Sequence, residues 1–467
     1  MRYVSTRGEA APRGFDSVLL AGLAEDGGLF VPESWPVFSL AEWRALRGLP
    51  YAELAARIMA PFMCGESIDF AHLQRFCRDA YRSFVHPAVV PLVQLDRSLF
   101  ALELFHGPTL AFKDLALQIA GRLFDHVLNV RGSRVTVVGA TSGDTGSAAI
   151  SACRDRARVD IVILHPAGRT SEVQRRQMTT VLSSNVLNVA IEGNFDDCQD
   201  LVKAMFSDAP FRESMRLTAI NSINWARIAG QIPYFAAAAL ALGAPDREVA
   251  VAVPTGNFGN VLAAWVAKQM GLPISQFIVA SNSNDILRRF LASNDMSVAQ
   301  VVETASPSMD IQVSSNFERL LFEFLGRDAS ATAEIMKRFR ASGRMAVPDS
   351  VWTAIRREFK GFSLDDPSTL TEIASIYAAC GYQADPHTAI GIAAARAAAP
   401  VGMPVIAVAT AHPAKFPETM YKALGVYPGL PSTFSDLYSL PERLSSAPVD
   451  LAEVKQLVRQ FSNRNDR

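Results

Sequence analysis

Cysteines are few in this sequence, and their spacing excludes two kinds of scaffold. The five cysteines are spread from Cys64 to Cys380, with no C-x-x-C pair and no cluster of cysteine and histidine. A disulfide framework or a structural zinc site requires such spacing. We therefore expect free, buried thiols, as in a protein of the reducing cytoplasm, and no metal.

Long apolar runs and an excess of charge are also missing. No segment approaches the ~18–20 uncharged apolar residues that cross a bilayer, and residues Met1–Gly8 lack the apolar stretch of a signal peptide. The formal net charge is −1, so neither nucleic acid nor a membrane is an expected partner. Any anion site must be built from local basic residues, and we expect a small-molecule substrate.

The length of the chain predicts several domains. With 467 residues, 49% of them hydrophobic and 19% charged, two or three compact domains are expected, because one core rarely exceeds ~250–300 residues. Residues 1–90 predict a mostly helical N-terminal domain, with amphipathic runs at Leu40–Leu49, Tyr51–Met63 and Phe70–Phe84. The prolines that follow His86 mark its end.

The rest of the chain has the pattern of an α/β protein. Short β-branched runs alternate with helical patterns, which is typical of parallel sheets covered by helices on both faces. The predicted strands are 135–138, 161–164, 186–191, 249–253, 277–279 and 405–409. We expect two α/β domains, at residues 91–235 and 236–467. Ligands bind such sheets where a strand leads into a helix.

The chain has only eight lysines, against thirty-seven arginines. One of these lysines, Lys113, has an unusual setting. Lys113 lies near the end of the glycine- and proline-broken segment Phe105–Asp114, just before a helical run. A desolvated, neutral amine attacks a carbonyl group to form a Schiff base. The alternative is a lysine whose ammonium group reaches the solvent.

Three predicted strand ends carry unusual residues. Gly139–Ser147 combines small residues with a helix start, where N–H groups point at an anion, although its spacing matches no nucleotide-binding motif. Val253–Asn260 predicts a nest of amides around a phosphate. Thr410 presents a neutral hydroxyl suited to a ring nitrogen. Alone, each also fits a structural cap or turn. Together with Lys113 they fit one cofactor, pyridoxal 5′-phosphate.

The sequence resembles the threonine synthase family, in the branch with an extra N-terminal domain. The segments that carry the resemblance are Tyr3–Gly8, Asp26–Pro32, His106–Asp114, Ala140–Ser147, Asn221–Ile228, Gly256–Asn260 and Ala411–Phe416. The resemblance implies the pyridoxal-phosphate fold of tryptophan synthase β subunits (fold type II). It also implies a carbon–oxygen lyase that converts O-phospho-L-homoserine and water into L-threonine and phosphate, the last step of threonine biosynthesis.

The resemblance assigns roles to individual residues. Lys113 would be the catalytic residue, bonded to the cofactor and later moving protons. The cofactor-binding residues would be Lys113, Gly256, Asn257, Phe258, Gly259, Asn260 and Thr410. The substrate-binding residues would be Thr141, Ser142, Asp144, Thr145, Asn221, Ser222 and Arg227. Asp144 stands where relatives often have asparagine, which leaves its role open.

Asn221–Arg227 is the segment that we expect to bind the substrate's phosphate. A guanidinium group is a planar fork of donors that matches phosphate, whereas the alternative is a capping turn with Arg227 in solvent. Lys415 is a second candidate for this phosphate. His106 and His412 lie beside site residues, and we assign neither a catalytic role.

Two other functions stay open. A fold-type II lyase of another kind, such as a threonine or serine dehydratase or an enzyme that stops after eliminating phosphate, would share most of these residues. Only a phosphorylated substrate needs Asn221–Arg227. A non-catalytic paralogue would have no chemical need for Lys113. We expect a monomer or a homodimer.

Overall fold

The N-terminal residues form a helical unit around a small antiparallel sheet. The structure is a computed structural model and describes the backbone of residues 1–465 and the side chains of residues 1–462. The elements of this unit are β1 (Arg2–Ser5), β2 (Arg13–Gly14), α1 (Phe15–Ala21), β3 (Phe30–Pro32), α2 (Leu40–Ala45), α3 (Tyr51–Met63) and α4 (Phe70–Tyr81). The three strands pair in the order β2–β1–β3.

The amphipathic runs predicted in this unit are helices, and α3 shows why. Its buried residues Leu54, Ile58 and Phe62 recur every four positions, so they share one face of the helix. The next helix, α4, begins after Asp69, whose carboxylate accepts a hydrogen bond from the His72 N–H at 2.7 Å. The small sheet of the N-terminal unit was not predicted.

The remaining elements alternate between strands and helices. Those in the first half are β4 (Leu92–Gln94), β5 (Leu99–Glu103), α5 (Lys113–Val130), β6 (Val135–Ala140), α6 (Asp144–Cys153), β7 (Val159–Pro166), α7 (Glu172–Thr179), β8 (Val186–Ile191), α8 (Phe195–Ser207), α9 (Ala209–Ser214), β9 (Leu217–Thr218), α10 (Trp225–Ala229) and α11 (Ile232–Ala241). Those in the second half are β10 (Val249–Pro254), α12 (Gly259–Gln269), β11 (Ile274–Ser281), α13 (Ile286–Ser293), β12 (Met296–Ser297), α14 (Phe317–Phe324), α15 (Ala329–Ser342), β13 (Arg344–Met345), α16 (Asp349–Glu358), β14 (Phe359–Ser363), α17 (Asp366–Cys380), α18 (Pro386–Ala398), β15 (Val405–Ala409), α19 (Pro417–Leu424), β16 (Ser445–Ala447) and α20 (Leu451–Asn465).

Two large sheets contain all of these strands except β12 and β13, which pair with each other. One has five parallel strands in the order β16–β8–β7–β6–β9. The other has six strands in the order β14–β11–β10–β15–β5–β4, of which only β4 runs antiparallel to its neighbour. Every residue of the inner strands β7 and β10 is buried, as expected for sheets covered on both faces. Each of the six predicted strands lies within an observed one, and the α/β fold class is confirmed.

The two sheets exchange strands across the predicted domain boundaries. The early strand β5 pairs with the late strand β15, with Leu99 opposite Val405. The late strand β16 pairs with β8, with Ser445 opposite Val189. A division at residues 91–235 and 236–467 would place β4, β5 and β16 in the opposite units. Local patterns show where strands are, whereas the choice of a distant partner depends on the packing of the whole chain.

All five cysteines are free, and three of them are buried: Cys77, Cys153 and Cys198. Cys380 is exposed, which differs from the expected burial. Among residues 1–465, no helix has the length and apolar character needed to cross a membrane.

Helices α5 and α6 approach each other closely, and this contact gives a test of the fold. A Cβ added to Gly121 would lie 2.4 Å from the carbonyl oxygen of Ala152. We expect Gly121→Ala to destabilise the protein by about 1–3 kcal/mol, because a backbone clash outweighs the better helix propensity of alanine. The measurement is the urea unfolding midpoint. The control is Gly65→Ala, whose new Cβ has no neighbour within 4 Å; equal stability of both variants would contradict the prediction.

Candidate active site

Lys113 follows a loop that is held together by its own hydrogen bonds. The carboxylate of Asp114 accepts from the backbone N–H and the hydroxyl of Thr109, at 2.8 and 2.6 Å. A Cβ on Gly107 would lie 2.6 Å from Asp114 Oδ2, so glycine is needed there. Burial raises the pKa of Asp114 to about 6, although the bonds from Thr109 oppose this. The loop delivers Lys113 as the first residue of α5.

The loop before Lys113 is joined to the loop after β15. Ala111 and Ala411 form an isolated antiparallel bridge, and the Phe112 N–H donates to the carbonyl oxygen of Thr410 at 2.8 Å. The side chains of Lys113 and Thr410 line the same cavity. Two of the predicted cofactor residues are therefore fixed relative to each other by backbone hydrogen bonds.

The Lys113 amine is buried, with 8% of the residue exposed. Its Nζ lies 3.3 Å from Asp144 Oδ2 and 3.4 Å from Ser308 Oγ. Burial is the main cause that lowers the pKa of the Lys113 ammonium group. The Asp144 carboxylate opposes this shift, whereas the positive charges of Lys415 and Arg227 add to it. A lowered pKa favours the neutral amine that attack on a carbonyl requires.

Asp144 faces two lysines and does not line the cavity. Its Oδ1 accepts from Lys415 Nζ at 2.8 Å and from Gln174 Nε2 at 2.9 Å. Lys415 is fully buried and also donates to the carbonyl oxygen of Thr109 at 2.7 Å. Burial alone would raise the pKa of Asp144, but Lys415 and Lys113 hold it well below its usual range. Asp144 is therefore the one predicted substrate-binding residue that does not line the cavity. The ammonium group of Lys415 already donates to two acceptors of the protein.

Residues 255–258 connect β10 to α12, and residues 256–260 line the cavity. Phe258 has a left-handed backbone with φ of 62°, a geometry that turns successive N–H groups to one side. A Cβ on Gly256 would lie 2.8 Å from the carbonyl oxygen of Ser308. Within residues 1–465, the N–H groups of residues 256–258 donate to no backbone acceptor. These groups and the positive end of α12 are suited to an anion.

The loop after β6 is closed by one threonine. Thr141 Oγ1 accepts from the N–H groups of Gly143 and Gly146, at 3.0 and 2.9 Å. Gly143 has a φ of 145°, which favours glycine. Thr141, Ser142 and Thr145 line the cavity at the N-terminus of α6, where a carboxylate is stabilised.

Arg227 places a guanidinium group in the cavity wall from α10. The residue is 6% exposed, and its Nε has no hydrogen-bond partner in the part of the chain that the structure describes. Its Nη1 reaches only the carbonyl oxygen of Ile220, at 3.5 Å. Burial lowers the pKa of Arg227 to about 10, so it keeps its charge at neutral pH. A buried cation with free donors is suited to a phosphate.

These elements enclose a cavity of about 250 Å³. The predicted site residues that line it are Lys113, Thr141, Ser142, Thr145, Asn221, Ser222, Arg227, Gly256, Asn257, Phe258, Gly259, Asn260 and Thr410. Three further polar residues line the cavity and were not predicted: Gln231, Ser308 and His387. These three do not follow a predicted strand, so the strand-end rule gave no signal for them.

His387 and Ser308 form a buried network beside Lys113. The His387 Nδ1 lies 2.8 Å from Asp385 Oδ1, and its Nε2 accepts from the Ser308 N–H at 3.2 Å. The proton of the imidazole is therefore on Nδ1, where it is donated to Asp385. The network fixes the backbone of Ser308 and with it the hydroxyl near Lys113.

His106 and His412 lie outside the cavity lining. His106 Nε2 is 2.7 Å from Glu103 Oε2, and His412 Nδ1 accepts from the Ala414 N–H at 3.2 Å. Both rings brace their own loops.

The free polar groups of the cavity fit pyridoxal 5′-phosphate. The amides of residues 256–260 suit its phosphate, and Asn260 Nδ2 is a buried donor without a partner in the described residues. Thr410 offers a neutral hydroxyl, and Lys113 offers the amine that the cofactor's aldehyde needs. Among residues 1–465, no group of three or more His, Cys, Asp or Glu side chains is arranged to hold a metal ion.

Known protein families match consecutive parts of the chain. The matches are Threonine synthase N terminus at residues 2–81, Pyridoxal-phosphate dependent enzyme at residues 86–348 and Threonine synthase, C-terminal, at residues 388–458. A threonine synthase of Pseudomonas aeruginosa is 54% identical over 466 residues, which cover 99% of each chain.

Solved structures give the same result. The crystal structure of a PLP-bound threonine synthase from Brucella melitensis matches with a TM-score of 0.97 and 52% identity, covering 99% of each chain. The threonine synthase from yeast matches with a TM-score of 0.93 and 37% identity, also over 99% of each chain. On these similarities and on its own site geometry, the chain belongs to the threonine synthase family of pyridoxal-phosphate-dependent enzymes.

Proposed function

We propose that this chain uses pyridoxal 5′-phosphate to convert O-phospho-L-homoserine and water into L-threonine and phosphate. The observation that carries the proposal is a cavity with two separate anion-binding places beside one buried amine. The amides of residues 256–260 form one place, and the guanidinium of Arg227, whose Nε has no partner among the described residues, forms the other. The cofactor and the substrate each bring one phosphate, and Lys113 lies in the same cavity.

Lys113 is the group that moves protons in this reaction. Bound pyridoxal 5′-phosphate supplies an electron-accepting ring that stabilises negative charge at the α-carbon of an amino acid. The Lys113 amine removes the Cα proton of the substrate and later returns a proton at Cγ. Between these steps the phosphate leaves Cγ with the electron pair of the C–O bond and takes up the proton that leaves Cβ. Water then adds its hydroxyl group at Cβ, and its remaining proton is delivered to Cα through the Lys113 amine.

Arg227 holds the phosphate of the substrate in this proposal. Its burial strengthens the attraction, because charges interact more strongly away from bulk water. The phosphate gains negative charge as the C–O bond breaks, so the guanidinium stabilises the leaving group as well as the bound substrate. Asn221 and Ser222 supply neutral polar groups on the same side of the cavity.

The other cavity residues orient the two molecules. Thr141, Ser142 and Thr145 would receive the substrate carboxylate at the N-terminus of α6. Thr410 would meet the ring nitrogen of the cofactor with a hydroxyl, which does not hold that nitrogen protonated as a carboxylate does. A neutral hydroxyl at the ring nitrogen therefore favours elimination and replacement reactions over transamination. Asp144 would act from outside the cavity lining, by fixing the position and the charge state of Lys113.

The working state of the enzyme is also part of the proposal. We expect a cytoplasmic monomer or homodimer that acts on a free small molecule and needs no nucleic acid partner. The net charge of −1 supports this expectation, because it gives no general attraction to polyanions. A threonine or serine dehydratase is a poorer fit, because its substrate has no phosphate for Arg227.

The reaction and the role of Lys113 can be tested together. Purified enzyme should release phosphate and threonine in equal amounts from O-phospho-L-homoserine, and borohydride should trap the cofactor on the Lys113 peptide. Lys113→Ala should lose the bound cofactor's absorbance and lower turnover by about 10³-fold or more, because the amine is both attachment point and base. Lys422→Ala, at an exposed lysine, is the control. Phosphate release without threonine would indicate a lyase that stops after elimination.

Arg227→Met should weaken the substrate's binding and leave the cofactor in place. A charged hydrogen-bond pair contributes about 1.5–3 kcal/mol, so kcat/KM for O-phospho-L-homoserine should fall by about 10–100-fold. Cofactor content, read from absorbance, should match that of the unchanged enzyme. Arg338→Met, on an exposed part of α15, controls for loss of an arginine. Loss of cofactor from Arg227→Met would show that Arg227 binds the phosphate of the cofactor and not that of the substrate.

Substitutions at Asp144 and Lys415 should move the pKa of Lys113 in opposite directions. Lys415→Met removes a positive charge that lowers this pKa, so the pKa should rise and less neutral amine should be present at a given pH. Asp144→Asn removes a negative charge that raises it, so the pKa should fall. The measurement is the pH dependence of acetic anhydride labelling of Lys113 in the cofactor-free protein, followed by mass spectrometry. Shifts of the same sign would refute this account of Asp144.

A further inference from the structure

Arg319 in α14 is a buried cation with no carboxylate partner within salt-bridge distance among the described residues. It is 1% exposed, and all of its hydrogen bonds go to uncharged acceptors. Burial lowers the pKa of Arg319 to about 9, while the neighbouring Glu318 opposes the shift. Burying a charge without a carboxylate is costly unless its donors are satisfied. The acceptors that satisfy it therefore indicate its role.

The three acceptors of Arg319 lie in three separate parts of the chain. Its Nε donates to the carbonyl oxygen of Phe30 in β3 at 2.9 Å. Its Nη2 donates to the carbonyl oxygen of Ile223, in the loop that leads to Arg227, at 2.6 Å. Its Nη1 donates to the side-chain oxygen of Asn316. One side chain thus connects the N-terminal unit, the candidate substrate-phosphate loop and the start of α14.

Asn316 extends this connection to both phosphate loops. Its Nδ2 donates to the carbonyl oxygen of Ser222 at 3.1 Å and to that of Asn257 at 2.9 Å. Its backbone N–H also donates to Asn257 O, at 3.2 Å. The residue is completely buried. A single amide group therefore bonds the backbone of the loop near Arg227 and the backbone of the amide nest.

The N-terminal unit supports the same loop from the other side. The side chain of Asn224 donates to the carbonyl oxygen of Leu19 at 2.8 Å. The ring of Trp225 lies 5.9 Å from that of Tyr3 and 5.8 Å from that of Phe62, and the guanidinium of Arg319 lies 5.6 Å from it. The loop is fixed against residues 1–90 by packing as well as by hydrogen bonds.

We propose that Asn316 and Arg319 are positioning residues that set the spacing between the cofactor-phosphate loop and the substrate-phosphate loop, with the N-terminal unit as their anchor. This proposal rests on the proposed function, because it takes the two loops as sites for two different phosphates. Fixed spacing sets where the phosphate of the substrate lies relative to that of the cofactor, and so how the reacting carbons of the substrate lie relative to Lys113. A misplacement of about 1 Å at a reacting group is enough to lower a rate by ~10²-fold.

Asn316→Ala and Asn316→Asp should affect both phosphates at once. Either substitution removes the two N–H donors that bond the loops. We expect kcat/KM for O-phospho-L-homoserine to fall by about 10-fold or more and cofactor to dissociate several-fold faster, as followed by absorbance after dilution. Asn316→Asp also gives Arg319 a carboxylate, so its thermal unfolding midpoint should be above that of Asn316→Ala, although in both variants two carbonyl oxygens lose their side-chain donor. Equal loss of function in the two variants, despite their different stabilities, separates positioning from general support.

Arg319→Lys separates geometry from charge. Lysine keeps the positive charge but lacks the planar fork that reaches three acceptors. We expect Arg319→Lys to resemble Arg319→Met in both kcat/KM and cofactor dissociation. Wild-type values for Arg319→Lys would show that only the charge matters, and they would overturn the proposal.

Glu318→Gln is the matched control in the same helix. Glu318 is buried and accepts hydrogen bonds from Thr6 and Arg7 of the N-terminal unit, each at 2.7 Å, but among the described residues it makes no side-chain hydrogen bond to either phosphate loop. This variant should lower the unfolding midpoint and leave KM and cofactor dissociation unchanged. If Asn316→Ala behaves in the same way as Glu318→Gln, Asn316 is merely structural and the proposal is wrong.

The two proposals can fail separately. If the unchanged enzyme has no activity on O-phospho-L-homoserine, the proposed function fails. Cofactor dissociation and the binding of inorganic phosphate, measured by calorimetry on the cofactor-loaded protein, do not depend on turnover. A change in both for Asn316→Ala, with neither changed in Glu318→Gln, would still support the positioning role; no change in either would refute it.

Discussion

The buried ion pair between Asp144 and Lys415 holds the two halves of the active site together. Asp144 starts α6, after a strand of the five-stranded sheet, whereas Lys415 follows β15 of the six-stranded sheet. Their charged groups are 2.8 Å apart and almost free of solvent contact. A buried pair is stable only when its other hydrogen-bonding positions are filled, and Gln174 and the carbonyl oxygen of Thr109 fill them. One carboxylate therefore connects the loop after β6 with the loop after β15, beside the cavity.

This carboxylate also distinguishes the two lysines beside it. Lys415 donates over short distances to Asp144 and Thr109, and it lies outside the lining of the cavity. Lys113 has only long contacts, of 3.3 and 3.4 Å, and lines the cavity. The chain thus keeps one lysine as a fixed counter-charge and leaves the other amine available for chemistry. Positive charge is concentrated here although the whole chain has a net charge of −1.

Much of the site could be predicted because each of its parts has a local signal. Lys113, Thr410 and residues 256–260 each stand directly beside a helix start or a strand end, and glycine at such a point is needed for backbone geometry. Periodic apolar residues likewise predicted α2, α3 and α4 of the N-terminal unit, and short β-branched runs predicted six strands of the two sheets. The role of Asp144 was not predictable, because its sequence neighbours do not show that a lysine from a distant loop neutralises it.

The sequence by itself determined the positions of six strands and three N-terminal helices, the turns that require glycine, and the kinds of chemical group that end in the cavity. These features depend on residues near each other in the chain, so they can be predicted from the sequence. The tertiary structure alone decided the exchange of strands between the sheets, the partners of Asp144, and the connection of two phosphate loops through Asn316. The physical reason is that buried polar groups must find partners, and the partner is chosen by how the whole chain packs.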